Sequence, residues 1–364
     1  MPKHPSTESH VRSMTGVHPR PVEWLWPGWI PLGKLTVLDG DPGVGKSTLL
    51  FDLAARLSRD GVMPDGAAGP LGAALLLSAE DGEEDTIQPR LAAAGGVAAR
   101  LFTLPAVRDD DGHMRPPEVP LDLPAIDAAV RQYGARLLVI DPLMAYLTGA
   151  DASVDQEVRR ALFRLARLAE RRRCAVVCLR HLSKAGGDKA VYRGGGSIGI
   201  VAAARSGLVA AADPDNPGQR ILAAAKCNLA PPPRPLRFAL EAPDGVCRVR
   251  WLGEADISAD ELVKRAEERT RLQEAVAFLR NLLADGPKPT QQCYLLAHIE
   301  GIARRTLQRA LQPAGVRQRR ATRDSDPLWE LNPDVSASHE RSTRGGTDLG
   351  AMAQAPEKPD PQRT

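Results

Sequence analysis

Short apolar runs and helical periodicities alternate along the first two thirds of the chain. The runs fall at 34–39, 73–79, 100–104, 136–140 and 174–179. None alternates strictly with polar residues, as expected of strands buried on both faces. Between them, 46–59, 83–94, 123–133 and 154–173 carry the spacing of amphipathic helices. Strands alternating with helices predict an α/β fold around a mostly parallel sheet. Beyond Ser206 the rhythm changes. Segments 207–212, 220–226, 236–241 and 246–252 read as consecutive strands joined by Asp-Pro, Pro-Gly and Pro-Pro-Pro turns. They are expected to extend the sheet in antiparallel fashion. A second unit begins near Asp256. Its helical periodicity over 260–284 meets a breaker at 285–289, and 290–299 and 303–312 read as short helices around a turn at Gly301. The pattern predicts a flexible start at 1–20, a large domain at 21–253, a small unit at 257–333 and a disordered tail at 334–364.

Charge and composition narrow the function classes. The 364 residues carry 48 Lys and Arg against 45 Asp and Glu, a net charge of +3. That balance excludes a histone-like polycation or an acidic tail protein. A hydrophobic share of 43% suffices for a sizeable core. No apolar run is long enough for a membrane span, and the polar N-terminal residues lack a secretory pattern, so a cytoplasmic protein is expected. Five cysteines with no CxxC pair read as reduced structural thiols. Aromatics are scarce, yet three of the five tryptophans are Trp24, Trp26 and Trp29. This cluster is expected to pack the incoming chain against the core. A surface for adenine stacking or subunit contact is the alternative.

The chemistry begins at Gly40-Asp41-Pro42-Gly43-Val44-Gly45-Lys46-Ser47-Thr48. The first eight residues match G-x-x-x-x-G-K-[ST] between a predicted strand and a predicted helix, the context a P-loop requires. Glycines let backbone N–H groups turn toward phosphate oxygens, and the helix N-terminus adds partial positive charge. Lys46 is expected to reach the β- and γ-phosphates of ATP, and Ser47 to hold Mg²⁺. The apolar run ending in Asp141 supplies a second Mg²⁺ candidate, a Walker B carboxylate. Pro142 follows it where many such ATPases carry a glutamate, so the catalytic base must come from elsewhere. Glu80, at the end of the 73–79 run, is the candidate, with Asp81 as runner-up; the plainer reading has both capping the next helix. His181, closing the 174–179 run, is placed to sense the γ-phosphate.

These residues together, Gly40–Thr48, Ser78–Asp81, Leu137–Asp141 and His181–Lys184, resemble the RecA-like ATPases of the hexameric replicative helicase group. The likeness is to plasmid-encoded replication helicases and related ATPases of phages and integrated elements, over roughly 21–252. It implies a RecA-like P-loop core, ATP hydrolysis with Glu80 as base, His181 as γ-phosphate sensor, and a hexameric ring of identical subunits. It further implies that the glycine-rich 192–197 loop corresponds to that family's Arg-Gly-Ser loop. Arg205 is then an arginine finger reaching a neighbour's ATP, Lys226 acts beside it, and Arg90 matches a nucleotide-contacting arginine. Cations supplied in trans would couple hydrolysis to assembly.

The overall charge hides a local basic stripe. Between Arg304 and Arg323 lie seven arginines (Arg304, Arg305, Arg309, Arg317, Arg319, Arg320, Arg323) and no acid. The Gly301 turn leads into the first of them in the manner of a recognition helix, and 327–331 reads as a strand closing a wing. A winged-helix-like DNA-binding unit is expected, with an exposed solubilising or oligomerising helix as the plainer reading. The sequence thus points to an ATP-hydrolysing DNA-binding protein, a helicase or helicase-like motor, with a DNA-binding regulator or loader as the alternative. A small-molecule kinase also carries a P-loop, but Glu80, His181, Arg205 and the basic stripe argue against it.

Overall fold

The computed structural model describes residues 13–147, 155–182, 190, 198–320 and 327–332. The 192–197 loop, Ser183, Lys184, Arg323 and the 334–364 tail lie outside the described residues. The described chain forms two compact units, dividing between Ala266 and Glu267 within one long helix.

In the first unit the strands are β1 (Trp24–Trp26), β2 (Ile30–Pro31), β3 (Leu35–Gly40), β4 (Ala73–Ser78), β5 (Leu101–Thr103), β6 (Val107–Arg108), β7 (Met114–Arg115), β8 (Ala135–Asp141), β9 (Ala175–His181), β10 (Ser206–Ala212), β11 (Gln219–Cys227), β12 (Leu236–Glu241) and β13 (Arg248–Glu254). The helices are α1 (Lys46–Arg59), α2 (Gln88–Ala93), α3 (Leu123–Tyr133), α4 (Leu143–Tyr146), α5 (Asp155–Arg172), α6 (Ile198–Ala203) and the first part of α7 (Ala259–Leu282). Nine strands form one sheet in the order β13-β12-β11-β10-β3-β9-β8-β4-β5. The six from β10 to β5 are parallel, and β11, β12 and β13 add on antiparallel. This is the α/β architecture that the alternating runs predict.

The apolar runs lack alternation because both faces of the sheet are covered. Leu38, Val139 and Val177 join a core under α1, whereas Val37, Ile140 and Cys178 join a second core with α3, α5 and α6. Each strand therefore spends successive residues on opposite cores, and apolar residues fall at consecutive positions. Helix α3 stops where Gly134 takes a left-handed φ of 61°, a conformation glycine adopts without strain.

Two hairpins went unread in the sequence, β1–β2 and β6–β7. Both strands of each pair are too short to carry a period. The first resolves the tryptophan cluster. Trp26 and Trp29 are fully buried and stack at 4.7 Å between ring centroids, with Trp251 edge-on to Trp26 at 5.9 Å. Packing, not an exposed stacking platform, is what these two rings do. The expected 83–94 helix is also split, opening with a wide turn over Glu83–Ile87 before α2. The five cysteines are free, and burial pushes the Cys174 and Cys178 thiols up to about 12. Among the described residues, no helix is long and apolar enough to cross a membrane.

The second unit holds the rest of α7, β14 (Lys288–Pro289), α8 (Thr290–Ile299), α9 (Arg304–Ala314), β15 (Val316–Arg319) and β16 (Leu328–Leu331). Its strands pair antiparallel in the order β14-β16-β15. Leu307, Ala310 and Ala314 turn one face of α9 into a core with Leu279, Cys293 and Trp329. Gly301 makes the α8–α9 turn at φ 74°. Strand β15 was not expected from the sequence, since three of its four residues are exposed.

Candidate active site

Parallel strands all end on one edge of a sheet, and in open α/β sheets that edge is where ligands bind. Here the register pairs Gly40 with His181 and Ser78 with Asp141. The ends of β3, β9, β8 and β4 therefore bring Lys46, His181, Asp141 and Glu80 to a common rim. Because β9 lies between β3 and β8, His181 ends between the P-loop and the Asp141 strand.

The 40–45 loop is shaped by its glycines. Gly43 and Gly45 hold φ of 74° and 94°. A Cβ on Gly40 would meet the Ala210 carbonyl at 2.5 Å, and one on Gly45 would meet Leu240 at 2.7 Å. Gly45 caps α1 without a side-chain hydrogen bond, and the first turn of α1 holds no acid. Its N–H groups are left for an anion, as a phosphate cradle requires.

Lys46 is buried and donates from Nζ to the carbonyls of Gly40 at 2.8 Å and Asp41 at 2.9 Å. The same Nζ lies 3.3 Å from His181 Nδ1. An ammonium has donors only, so in this contact the imidazole nitrogen is the acceptor. Burial pulls the Lys46 pKa down, against the pull of Asp141, Asp41, Asp39 and Glu80. Asp141 is pushed up to about 6, chiefly by burial. A hydrogen bond from Ser47 opposes that shift, and the charges of Asp81 and Glu80 add to it. Ser47, Asp141, Glu80 and Asp81 thus share one electrostatic neighbourhood. The donors are hard oxygens, the set Mg²⁺ takes, and a Mg²⁺ that keeps phosphate and water ligands needs few from the protein. Among the described residues, no group of three or more His, Cys, Asp or Glu side chains is arranged to hold a metal ion.

Glu80 and Asp81 do not cap the following helical turn, whose N-cap is Gly82. Glu80 is exposed at the rim. The Ala79 N–H donates to the Asp141 carbonyl at 2.9 Å, fixing the chain just before Glu80 against the Asp141 strand. Arg90 stands 3.6 Å from Asp81, so its first partner is a carboxylate of the protein.

Arg205 and Lys226 are not brought to this rim. Arg205 precedes β10, and its N–H donates to Leu35 at the start of β3. Five strand steps at about 3.3 Å separate Leu35 from Gly40, so the arginine sits about 16 Å away, on the opposite edge. Lys226 pairs in register with Gly207 beside it and donates to the Val201 and Ala204 carbonyls, both at 2.8 Å, at the end of α6. Burial and then the Arg205 charge lower its pKa. In the second unit, Arg304, Arg305, Arg309 and Arg320 are exposed, with Arg304 lying 4.4 Å over the Tyr294 ring. Arg317 is instead paired with Glu330 at 2.8 Å, and Arg319 stands 3.9 Å from the same acid. Strand pairing brings in a carboxylate that the acid-free stretch from 304 to 323 does not contain.

One pair was missed in the sequence. Asp39 and Arg180, the residues just before Gly40 and His181, face each other across β3 and β9. Arg180 donates twice, Nε to Oδ1 at 2.9 Å and Nη2 to Oδ2 at 2.8 Å, with side chains 1% and 7% exposed. The only sequence signal was a charge inside each of two otherwise apolar strands.

The comparisons with known proteins fall on this core. The pattern of the AAA domain family matches residues 4–187. The DNA repair protein RadA of Bacillus subtilis (strain 168) is 27% identical over 185 residues, which is 50% of this chain and 34% of that protein. The chain thus spans about a third of the length of that curated relative. With the P-loop, the carboxylate rim and the parallel sheet in register, the chain belongs to the AAA domain family and carries a RecA-like P-loop ATPase core.

Proposed function

We propose that this chain is an ATP-driven DNA motor, a replicative helicase or helicase-like protein of a plasmid, phage or integrated element. The observation that carries the reading is the rim itself: Lys46 against His181, with the bonded Ser47 and Asp141 alongside. DNA as the partner is supported by the similarity to a DNA repair protein and by the exposed arginines of α9. The order α7-β14-α8-α9-β15-β16, with a glycine turn before α9, supports a winged-helix-like unit. In it Arg304, Arg305, Arg309 and Arg320 contact phosphates, while Arg317 and Arg319 share Glu330.

In the catalytic cycle Lys46 exchanges the Gly40 and Asp41 carbonyls for phosphate oxygens. That exchange releases His181 Nδ1, so the sensor registers nucleotide entry. Thr48, buried beside Ser47, and the 40–45 backbone hold the chain of phosphates in line. Ser47 and Asp141 would hold Mg²⁺, which neutralises charge on the β- and γ-phosphate oxygens. Glu80 takes the proton of the attacking water. Glu80→Gln is expected to keep nucleotide binding and to lower turnover by about 10²–10⁴-fold. Fluorescent-nucleotide titration beside phosphate release checks this, and near-normal turnover would return the base role to Asp81.

Arg205 serves a neighbouring copy, since it stands on the edge opposite its own P-loop. Arg205→Ala is expected to be inactive alone. Mixed with Glu80→Gln, it should regain hydrolysis, because each variant supplies what the other lacks in a ring of identical subunits. Mixtures no more active than their components exclude action in trans. The function as a whole is tested by strand displacement with and without ATP. DNA-stimulated hydrolysis without displacement identifies a loader or regulator, and hydrolysis indifferent to DNA overturns the reading.

A further inference from the structure

The outer face of α5 carries charge that the catalytic rim does not use. This helix holds six arginines and no lysine. Val158, Ala161, Leu162, Leu165, Leu168 and Ala169 turn its inner face into the core. Elsewhere in the described chain arginines commonly find a carboxylate, as Arg115 does with Asp122 and Arg172 with Asp127. Arg160, Arg164 and Arg167 are exposed, and none has a carboxylate within ion-pair distance among the described residues. Their spacing of four and three residues aligns them in one stripe, where like charges destabilise an isolated helix. Among them stands Phe163, 65% exposed.

We propose that this face binds single-stranded nucleic acid, as a contact on the ATPase core separate from the α9 arginines. The inference rests on the reading that this chain acts on DNA. Planar guanidinium forks match phosphate oxygens in a way lysine does not. The stripe runs about 10 Å along the helix axis, about three nucleotide steps at 3.4 Å each. An aromatic ring set among phosphate-binding cations is the arrangement on which unpaired bases stack. A duplex offers no free base face, so Phe163 selects the single strand.

The test uses the full chain with a fluorescent oligothymidine and its duplex, across a salt series. Arg160→Ala/Arg164→Ala/Arg167→Ala is expected to flatten the slope of log K against log salt by about 2, three contacts at about 0.7 each. Phe163→Ala is expected to weaken single-strand affinity about 5- to 150-fold and to leave duplex affinity unchanged. Circular dichroism should match the parent in both variants; Phe163 and Arg167 border the cavity that Arg205 lines, so the fold and not the ATPase rate is the control. Arg304→Ala/Arg305→Ala/Arg309→Ala is the companion variant. If it loses DNA while the α5 variants keep the parental slope, the inference fails and the DNA function stands. If the parent binds neither oligonucleotide at low salt, the DNA function itself fails. If the α5 variants change sedimentation and not the salt slope, the face is an interface between copies and the inference is overturned.

Discussion

Replacing Lys46 with alanine is expected to lower the turnover of ATP by about 100- to 1,000-fold or more. That is the range seen when one aimed donor is removed from developing negative charge in a water-poor site. Lys46 is buried, and its pKa is pulled down by that burial while four carboxylates hold its proton. The charge is thus already desolvated and needs little reorganisation to meet the γ-phosphate. The change also cuts the ties to Gly40 and Asp41 that set the loop's resting shape. Nucleotide affinity should fall less than turnover, because the loop N–H groups and the α1 terminus still meet the phosphates. Phosphate release and equilibrium nucleotide binding, measured side by side, decide the matter. Hydrolysis within tenfold of the parent would refute the assignment of the P-loop. Lys46→Arg is expected to fail too, since a planar fork does not fit the space that a single amine fills between two carbonyls and His181.

Arg180→Met should lower stability by about 3–5 kcal/mol, the usual cost of leaving one member of a buried ion pair alone. For a unit of this size that is a fall in melting temperature of about 6–20 °C. Burial already pushes the Asp39 pKa up despite Arg180, and without the guanidinium that carboxylate must take a proton or stay charged in a dry site. The double change Arg180→Met/Asp39→Leu should recover most of the loss, because two apolar groups pack where two charges had to be desolvated. Turnover should not recover with it. The fork joins the residue before Gly40 to the residue before His181, next to the 3.3 Å contact of His181 with Lys46, and its loss is expected to loosen that contact. Calorimetry and phosphate release on the four proteins of this cycle separate the two effects. A double variant as active as the parent would make the pair a matter of packing alone.

What could be read from the chain was what neighbours in sequence determine. Helices 46–59 and 123–133 match α1 and α3 at both ends, because an apolar stripe and a glycine stop are local signals. The P-loop was legible because all its parts sit within eight residues. The Asp141 strand and the Glu80 turn were legible because an acid ending an apolar run is a local exception to a local rule. The hairpins β1–β2 and β6–β7 and strand β15 were not, since two to four residues are too few for a period and their partners lie elsewhere.

The sequence by itself determined a parallel α/β core with a phosphate loop and acidic residues at the ends of two of its strands. Tertiary structure alone decided who faces whom. Strand order, which no local pattern encodes, inserts β9 beside β3 and so sets His181 against Lys46 and Arg180 against Asp39, 141 residues apart. The same order carries Arg205 to the edge away from its own P-loop, and β16 delivers Glu330 to Arg317. Hydrophobic burial chooses the faces of each element from its own residues, but a pairing between charges is fixed only once the sheet has been assembled around them.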